Sequence, residues 1–353
     1  MDDKRIAVIG AGNSGYAVAG HMALAGYRVN LYGSKERGNV DPVIKRGGIE
    51  VLGEKVKGFA KLGRVTTDLA EAIADAKLIL ITYQSPGHEE LARNIATHLQ
   101  DGQIIVLIPG NLGSISFARI LKEKGVDKDI KIAETRMAMY GSRRVAGEAT
   151  VRIMDFIENH IAAFPARDTD SVFDELKELY PTNLLPAKNV MEVALSNLNF
   201  QHVPWLILNT GTVENPNRPF YIYGEDCTPS VQKVAEATKR ENSAIIKRLG
   251  LIDLSIAMEE RMAKNRPPEL KKVRGPKDMR HRNILEDCPF GLVIRASLGD
   301  MIGVPTPVTK ALITLASEII GVDFFTKGRT MERLGISGMS AEELDKFLTN
   351  GEI

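Results

Sequence analysis

This 353-residue chain has few cysteines and almost no net charge. Its two cysteines, Cys227 and Cys288, cannot form a disulfide framework and lack metal-ligand spacing, so we expect reduced thiols, a cytoplasmic location and no metal site. A net charge of +1 argues against binding to nucleic acid or to an anionic membrane. No apolar run approaches the roughly 20 residues that span a bilayer. A strand pattern already begins at Arg5, so we expect no signal peptide.

The first half of the chain alternates short apolar strand patterns with helical patterns. The strand patterns end at Ile9, Tyr32, Tyr83, Ile108 and Thr135. Several of them are continuously apolar, as expected for parallel strands that are buried on both faces. This alternation predicts an α/β domain with a doubly wound parallel sheet.

The most informative motif lies between the first strand and the first helical pattern. It supplies Gly10, Gly12, Asn13, Ser14 and Gly15 in the order Gly-x-Gly-x-x-Gly. The first glycine allows a tight turn, the second lets a pyrophosphate approach the backbone, and the third lets the helix pack on the strand. Backbone N–H groups at the helix start would then bind the phosphates. The motif therefore predicts a Rossmann domain that binds NAD or NADP.

Two further loops are expected to face this cofactor, because ligands of doubly wound domains bind at the carboxyl ends of the strands. They are residues 83–87 and residues 109–113. Within the second loop, Pro109 and Gly110 are the predicted cofactor-binding residues.

The end of the second strand bears on which nicotinamide cofactor is used. Gly33 stands where an NAD-binding domain usually carries a carboxylate for the ribose 2′-hydroxyl. Ser34, Lys35 and Arg37 follow, and a hydroxyl with two cations suits a 2′-phosphate, which favours NADP over NAD. Glu36 argues the other way, because a small register change would bring its carboxylate near the ribose.

The periodicity changes near residue 185. After it, long apolar segments recur with helical spacing, most clearly over 190–200, 230–249 and 306–320. We therefore expect a dinucleotide-binding Rossmann domain over residues 1–185 and an all-helical substrate domain over residues 186–353. The strongly charged segment 261–282 is expected to be a solvated loop or a lid.

Several blocks of the second half carry a resemblance to a known family. They are Asn199-Phe200-Gln201-His202, the Thr-Pro turn at Thr228, and the Phe-Gly-Leu-Val-Ile-Arg-Ala-Ser-Leu-Gly-Asp block that ends at Asp300. With them the chain resembles the octopine/nopaline (opine) dehydrogenases over its full length. The resemblance implies that an α-keto acid and the amino group of an amino acid form an imine, which a nicotinamide cofactor reduces.

The resemblance also implies a catalytic histidine–aspartate pair, which maps to His202 and Asp300. An imidazole can supply a proton near neutral pH, and a carboxylate behind it would set its tautomer. The family often reads His-Pro, whereas this chain reads His202-Val203-Pro204. We therefore expect a helix to end near His202, and Asp300 to lie on a loop after a Ser-Leu-Gly turn.

Candidate substrate-binding residues are an asparagine and two arginines. Asn199 lies about one helical turn before the histidine, on the same face. Arg136 and Arg295 could each pair with a substrate carboxylate in bidentate geometry. Arg143 and Arg144 are expected to be surface residues.

Other functions stay open at this point. Ketopantoate reductases and glycerol-3-phosphate dehydrogenases resemble the first half of the chain but use a lysine near the start of the second domain, a role that Lys188 could fill. A non-catalytic NADP-binding sensor would bind the cofactor without turnover. The sequence does not identify the keto acid or the amino acid, and we expect a homodimer.

Overall fold

A computed structural model of the protein describes residues 5–257, 259–260 and 271–352. The chain forms two compact units, one comprising the residues up to Ala194 with the segment from Phe347, and the other Leu195–Lys346. The second unit thus begins later than the expected boundary at residue 186. The C-terminal segment joins the first unit because Phe347 packs against Phe164, with ring centroids 5.0 Å apart. Part of the charged segment, 261–270, lies outside the described residues.

The first unit contains two sheets. Its strands are β1 (Arg5–Ile9), β2 (Arg28–Tyr32), β3 (Gly48–Leu52), β4 (Gly58–Lys61), β5 (Arg64–Thr66), β6 (Leu78–Ile81), β7 (Ile104–Leu107), β8 (Lys131–Thr135), β9 (Tyr140–Arg144), β10 (Thr150–Phe156), β11 (Asn159–Phe164) and β12 (Leu184–Pro186). The large sheet has the order β12-β11-β8-β7-β6-β1-β2-β5, and it is parallel except between β8 and β11. The doubly wound prediction is therefore confirmed.

The small sheet, with the order β4-β3-β10-β9, was not predicted from the sequence. Its strands are short, and their apolar residues alternate with charged ones, as on a sheet with one wet face. Helix α1 (Asn13–Leu24) packs between the two sheets, where its small residues allow close approach. A Cβ on Gly20 would come within 2.6 Å of Val51 on β3. The small sheet therefore packs against α1, the helix that follows the glycine-rich turn.

The other helices cover the large sheet or build the second unit. Those of the first half are α2 (Asp41–Arg46), α3 (Leu69–Ile73), α4 (His88–Ile95), α5 (Gly113–Glu123), α6 (Thr169–Leu176) and α7 (Val190–Leu195). Those that follow are α8 (His202–Ile207), α9 (Thr210–Val213), α10 (Pro229–Arg248), α11 (Arg282–Leu285), α12 (Val293–Ile302), α13 (Pro307–Ile320), α14 (Phe324–Lys327) and α15 (Ala341–Asn350). A helical second unit is as expected.

Local sequence explains where the long helices of the second unit begin. Helix α10 starts where Thr228 caps the backbone N–H of Val231 and Pro229 occupies the first position. Its partly buried Val234 packs against a separate apolar core that includes Phe200, Leu292 and Leu312. Within the described residues, we find no helix with both the length and the apolar character needed to cross a bilayer.

Candidate active site

The glycine-rich turn between β1 and α1 has the geometry of a dinucleotide site. Gly10 has a φ of +120°, and a Cβ on Gly15 would lie 1.6 Å from the Gly10 carbonyl oxygen, so the backbone requires both glycines. A Cβ on Gly12 would meet nothing within 4 Å. Open space therefore adjoins the start of α1, whose first turn carries no acidic residue. This space fits a cofactor phosphate bound by backbone N–H groups.

Two polar residues follow in the same turn. Asn13 is exposed, and its side-chain oxygen accepts the backbone N–H of Arg144 at 2.9 Å. The amide nitrogen of Asn13 donates to no other described residue, and Ser14 is half-buried beside it. Both predicted residues therefore lie at the N-terminal end of α1, where the sequence predicts the cofactor phosphates.

The two other predicted cofactor loops meet at the carboxyl ends of β6 and β7. Asn111 in the second loop donates from its side chain to the Ser85 hydroxyl in the first, at 3.0 Å. Pro109 is half-buried, but Gly110 is buried, and a Cβ there would lie 2.2 Å from Cβ of Glu134. The Glu134 carboxylate accepts two backbone N–H groups at the start of α5, at 2.9 and 3.1 Å. Gly110 therefore makes room for this internal carboxylate, and the start of α5 is already satisfied.

The end of β2 shows why no carboxylate stands at position 33. A Cβ on Gly33 would lie 2.7 Å from Cγ1 of Val40 and 2.9 Å from Cβ of Ala11. Packing therefore excludes an acidic side chain there. Lys35 and Arg37 are exposed on a 3-10 turn and form no ion pair with any described carboxylate.

In the second unit, a buried hydrogen bond joins His202 to Asp287. Nδ1 of His202 lies 2.7 Å from Oδ2 of Asp287, and the two side chains are 15% and 2% exposed. A carboxylate only accepts, so Nδ1 carries the hydrogen and Nε2 of the neutral ring is an acceptor. The pair is therefore arranged as a general acid–base group with a fixed tautomer.

Two aromatic side chains complete the surroundings of this imidazole. The Tyr223 hydroxyl lies 3.2 Å from Nε2 of His202, so it donates to the neutral ring. Trp205 packs edge-on against both, with ring centroids 5.9 Å from His202 and 5.5 Å from Tyr223. The hydroxyl thus marks the position beside Nε2 where a substrate atom would exchange a proton.

Charged side chains and an irregular helical segment lie next to Asp287. Arg282 approaches Oδ1 of Asp287 at 4.0 Å and donates to Glu286 at 3.2 Å. Burial opposes the charge of Arg282, but the adjacent carboxylates outweigh burial and raise its pKa. Burial and the charge of Asp287 raise the pKa of the Cys288 thiol. A π-helical segment, Cys288–Leu292, follows directly, a feature common at functional sites.

The structure corrects the expected partner of His202. Asp300 does not contact His202, because its carboxylate is 61% exposed and pairs with Lys310 at 2.6 Å. Sequence reasoning placed Asp300 on a loop, but α12 continues through Gly299, where a Cβ would lie 2.7 Å from the Val304 carbonyl oxygen. Gly299 therefore allows close packing within the helix, whereas the sequence analysis interpreted it as part of a turn that ends one.

The structure also corrects the role of Arg295. Its guanidinium is 2% exposed and donates to the carbonyl oxygens of Gly291, Leu195 and Asn197 at 2.9–3.0 Å. It lies 3.9 Å above the Phe200 ring. Burial lowers its pKa to about 9. Arg295 thus joins the segment before His202 to the segment after Asp287, and it is engaged by backbone where a substrate carboxylate was expected.

The remaining predicted residues, Asn199, Arg136 and Lys188, differ in their burial and in their hydrogen bonds. Asn199 is half-buried on a 3-10 turn just before α8, and its side-chain amide makes no hydrogen bond with any described residue. Arg136 is 2% exposed and donates to the Glu158 carbonyl oxygen in the first unit. Lys188 precedes α7, where its backbone N–H donates to Glu192. Asn199 alone among these lies near His202 in sequence.

Sequence reasoning missed Asp287, Tyr223 and Arg282. Asp287 lies three residues before the block that carries the family resemblance, so its place in the sequence could have marked it as a candidate partner of His202. Tyr223 lies in a short loop that only folding brings to His202. The helix at His202 also differs from expectation: it begins there, and Pro204 occupies its first turn, where a missing N–H costs nothing.

Two family profiles match the chain. One, described as the alpha-helical domain of NAD/NADP octopine/nopaline dehydrogenase, matches residues 186–320. The other, described as the N-terminus of NAD-dependent glycerol-3-phosphate dehydrogenase, matches residues 5–128. The second match covers only the dinucleotide-binding half.

Relatives and solved structures match along nearly the whole chain. An opine dehydrogenase of Arthrobacter sp. (strain 1C) is 32% identical over 361 residues, which cover 97% of this chain and 98% of the relative. A structure of octopine dehydrogenase with NADH and agmatine has a TM-score of 0.78 at 19% identity, covering 99% and 98% of the two chains. NADP+-bound yersinopine dehydrogenase has a TM-score of 0.69 at 13% identity, covering 98% and 97%. The same two-part fold therefore extends from end to end.

Proposed function

The chain belongs to the opine dehydrogenase family and is an NAD(P)-dependent oxidoreductase, and we propose that His202 and Asp287 carry the acid–base step of its reaction. That reaction is the reductive condensation of an α-keto acid with the amino group of an amino acid. The buried 2.7 Å bond between the two side chains is the observation that carries the assignment.

The chemistry requires one hydride and one proton for each imine reduced. When bound, NAD(P)H would supply the hydride for the imine carbon. The imidazolium form of His202, which Asp287 stabilises through Nδ1, gives its Nε2 proton to the nitrogen and returns to the neutral ring. The Tyr223 hydroxyl occupies the space at Nε2, so a substrate nitrogen must displace it or take the proton through it.

We assign substrate contacts to side chains near His202 and Asp287 that keep polar groups able to bind a ligand. The uncommitted side-chain amide of Asn199, close to His202 in the chain, supports a role in hydrogen bonding to substrate. Arg282 is 43% exposed beside Asp287, and although its Nε donates to Glu286, the remaining N–H groups of its planar guanidinium suit a substrate carboxylate. Arg295 is better suited to positioning because backbone carbonyl groups occupy it.

NADP is the proposed cofactor. Solved structures of this fold include an NADH complex and an NADP+ complex, so the preference depends on the residues of this chain. Exposed Lys35 and Arg37, with Ser34 beside them, support binding of a 2′-phosphate. The packing around Gly33 excludes the carboxylate that would repel it. Glu36 lies in the same turn and remains the opposing charge.

The cellular context is also part of the proposal. Within the described residues neither cysteine forms a disulfide, Cys288 being buried and Cys227 half-buried, which fits a reducing cytoplasm. A homodimer is the proposed assembly. Gel filtration with light scattering would contradict it by giving the mass of a monomer.

The function is tested by following NADPH absorbance with pyruvate alone and with pyruvate plus a panel of amino acids. Oxidation only when an amine is present supports the opine reaction. Oxidation by the keto acid alone would instead support a hydroxy-acid dehydrogenase. His202→Gln and Lys188→Ala are the paired variants, and we expect only the first to abolish turnover. Cofactor binding without oxidation across a broad panel of keto acids would support the sensor alternative.

A further inference from the structure

The small sheet attaches an arginine to the dinucleotide-binding turn. Strand β9 ends at Arg144, whose backbone N–H donates to the Asn13 side chain at 2.9 Å. Two residues earlier, the Ser142 hydroxyl donates to the Asn13 carbonyl oxygen at 3.1 Å. Two hydrogen bonds therefore fix the end of this strand to the first residue of α1. Arg144 lies beside the predicted cofactor site although it is far from the glycine motif in sequence.

The side chain of Arg144 extends toward the loop that follows β2. Its guanidinium carbon lies 5.3 Å from the centroid of the buried Tyr16 ring. The Tyr16 hydroxyl in turn donates to the carbonyl oxygen of Asn39, two residues after Arg37. Burial raises the pKa of Tyr16, while a hydrogen bond from Arg144 and its charge oppose the rise. One chain of contacts thus joins Arg144 to the loop that carries Ser34, Lys35 and Arg37.

The positive charge of Arg144 has no carboxylate partner among the described residues. Asp41 acts on Tyr16 only through its charge, and no ion pair forms between Asp41 and Arg144. A half-buried guanidinium held by an aromatic face and a phenol keeps donors for an anionic ligand. Lys35 and Arg37 likewise form no ion pair with a carboxylate in the described chain, so three cations with available donors lie on this side of the site, where Glu36 is the opposing charge.

We propose that Arg144 is a specificity-determining residue that binds the 2′-phosphate of NADPH together with Ser34, Lys35 and Arg37. The inference rests on the NADP preference put forward under the proposed function. It adds a residue from the small sheet, so the cofactor site has two sources: the β2 loop and the end of β9. The diphosphate remains at Gly12 and the start of α1.

Arg143 offers a matched control on the same strand. Successive side chains of a strand point to opposite faces, so Arg143 faces away from Arg144. Its guanidinium donates to the carbonyl oxygen of the adjacent Ser142 at 3.2 Å, and the side chain is exposed. Replacing Arg143 changes the net charge by the same amount as replacing Arg144, but it leaves the contact between Arg144 and Tyr16 intact.

The test is calorimetric titration of the full chain with NADPH, NADH, 2′,5′-ADP and 5′-AMP. Arg144→Met keeps an unbranched apolar cover over Tyr16 and removes the charge. Loss of a charge-assisted bond predicts about 10- to 100-fold weaker binding of NADPH and 2′,5′-ADP. NADH and 5′-AMP should change less than about threefold, and Arg144→Lys should recover part of the affinity. Arg143→Met should bind all four ligands like the wild type.

Three results would overturn the assignment. Equal losses for NADPH and NADH would mean that Arg144 serves the diphosphate. Unchanged binding of every ligand would mean that Arg144 only covers Tyr16. Equal effects of Arg143→Met and Arg144→Met would mean that net charge alone matters. Tighter binding of NADH than of NADPH by the wild type would contradict the NADP preference, which is a separate proposal. In that case the ratio of the affinities for 2′,5′-ADP and 5′-AMP, compared between the wild type and Arg144→Met, would still test Arg144.

Discussion

The sharpest prediction concerns which aspartate supports His202. Asp287→Asn keeps the size of the side chain but removes the charge that faces Nδ1 at 2.7 Å. An amide can present either its oxygen or its NH2 group to Nδ1, so the imidazole also loses its fixed tautomer. Asp300→Asn is the matched variant, since the same chemical change is made on an exposed carboxylate that pairs with Lys310.

The expected magnitudes follow from burial. A hydrogen bond to a charged group contributes about 1.5–3 kcal/mol, and Asp287 is only 2% exposed, so little solvent screening reduces it. At about 1.36 kcal/mol for each factor of ten, kcat/KM should fall about 10- to 100-fold or more. The side chains of Asp300 and Lys310 are 61% and 41% exposed, so their pair contributes about 0–1 kcal/mol and Asp300→Asn should lose less than about fivefold.

The assay is steady-state NADPH oxidation with the keto acid and amine that the wild type uses, beside a thermal unfolding scan of each variant. The scan separates loss of the acid–base pair from loss of the folded protein. NADPH affinity should be unchanged in both variants, because neither residue belongs to the dinucleotide-binding unit. A larger loss of activity for Asp300→Asn than for Asp287→Asn would refute the reasoning.

Three further predictions address the glycine turn, Arg295 and acid stability. Gly12→Ala should weaken NADPH binding about tenfold or more in titration without lowering the melting temperature, whereas Gly15→Ala should destabilise the fold, because only the second Cβ would strike backbone. Arg295→Lys should lower the urea midpoint and kcat together, because an ammonium cannot span the three carbonyl groups; normal stability with a raised KM for the keto acid would restore the substrate-binding role. Burial, aided by Arg136, lowers the pKa of His160 from its usual 6.5 to about 4. The unfolded chain therefore takes up this proton first, and the wild type should lose more thermal stability than His160→Gln as the pH falls from 6.5 to about 4.

Local sequence patterns determined much of this protein. Continuous apolar runs indicate buried parallel strands, and the spacing of Gly10, Gly12 and Gly15 indicates a tight turn between a strand and a helix. The doubly wound unit and the helical second unit could therefore be predicted. These features depend on neighbours along the chain, which a single sequence displays directly.

Only the tertiary structure decided which distant residues meet. Asp287 and Asp300 lie only 13 residues apart in the sequence, yet one is buried against His202 and the other is exposed on α12. Arg295 reads as a candidate for a substrate carboxylate until folding brings three backbone carbonyl groups to it. Arg144 reads as a surface charge until β9 fixes it to Asn13. In each case the side chain's role depends on its hydrogen-bond partner and its burial, and those are properties of packing between distant segments.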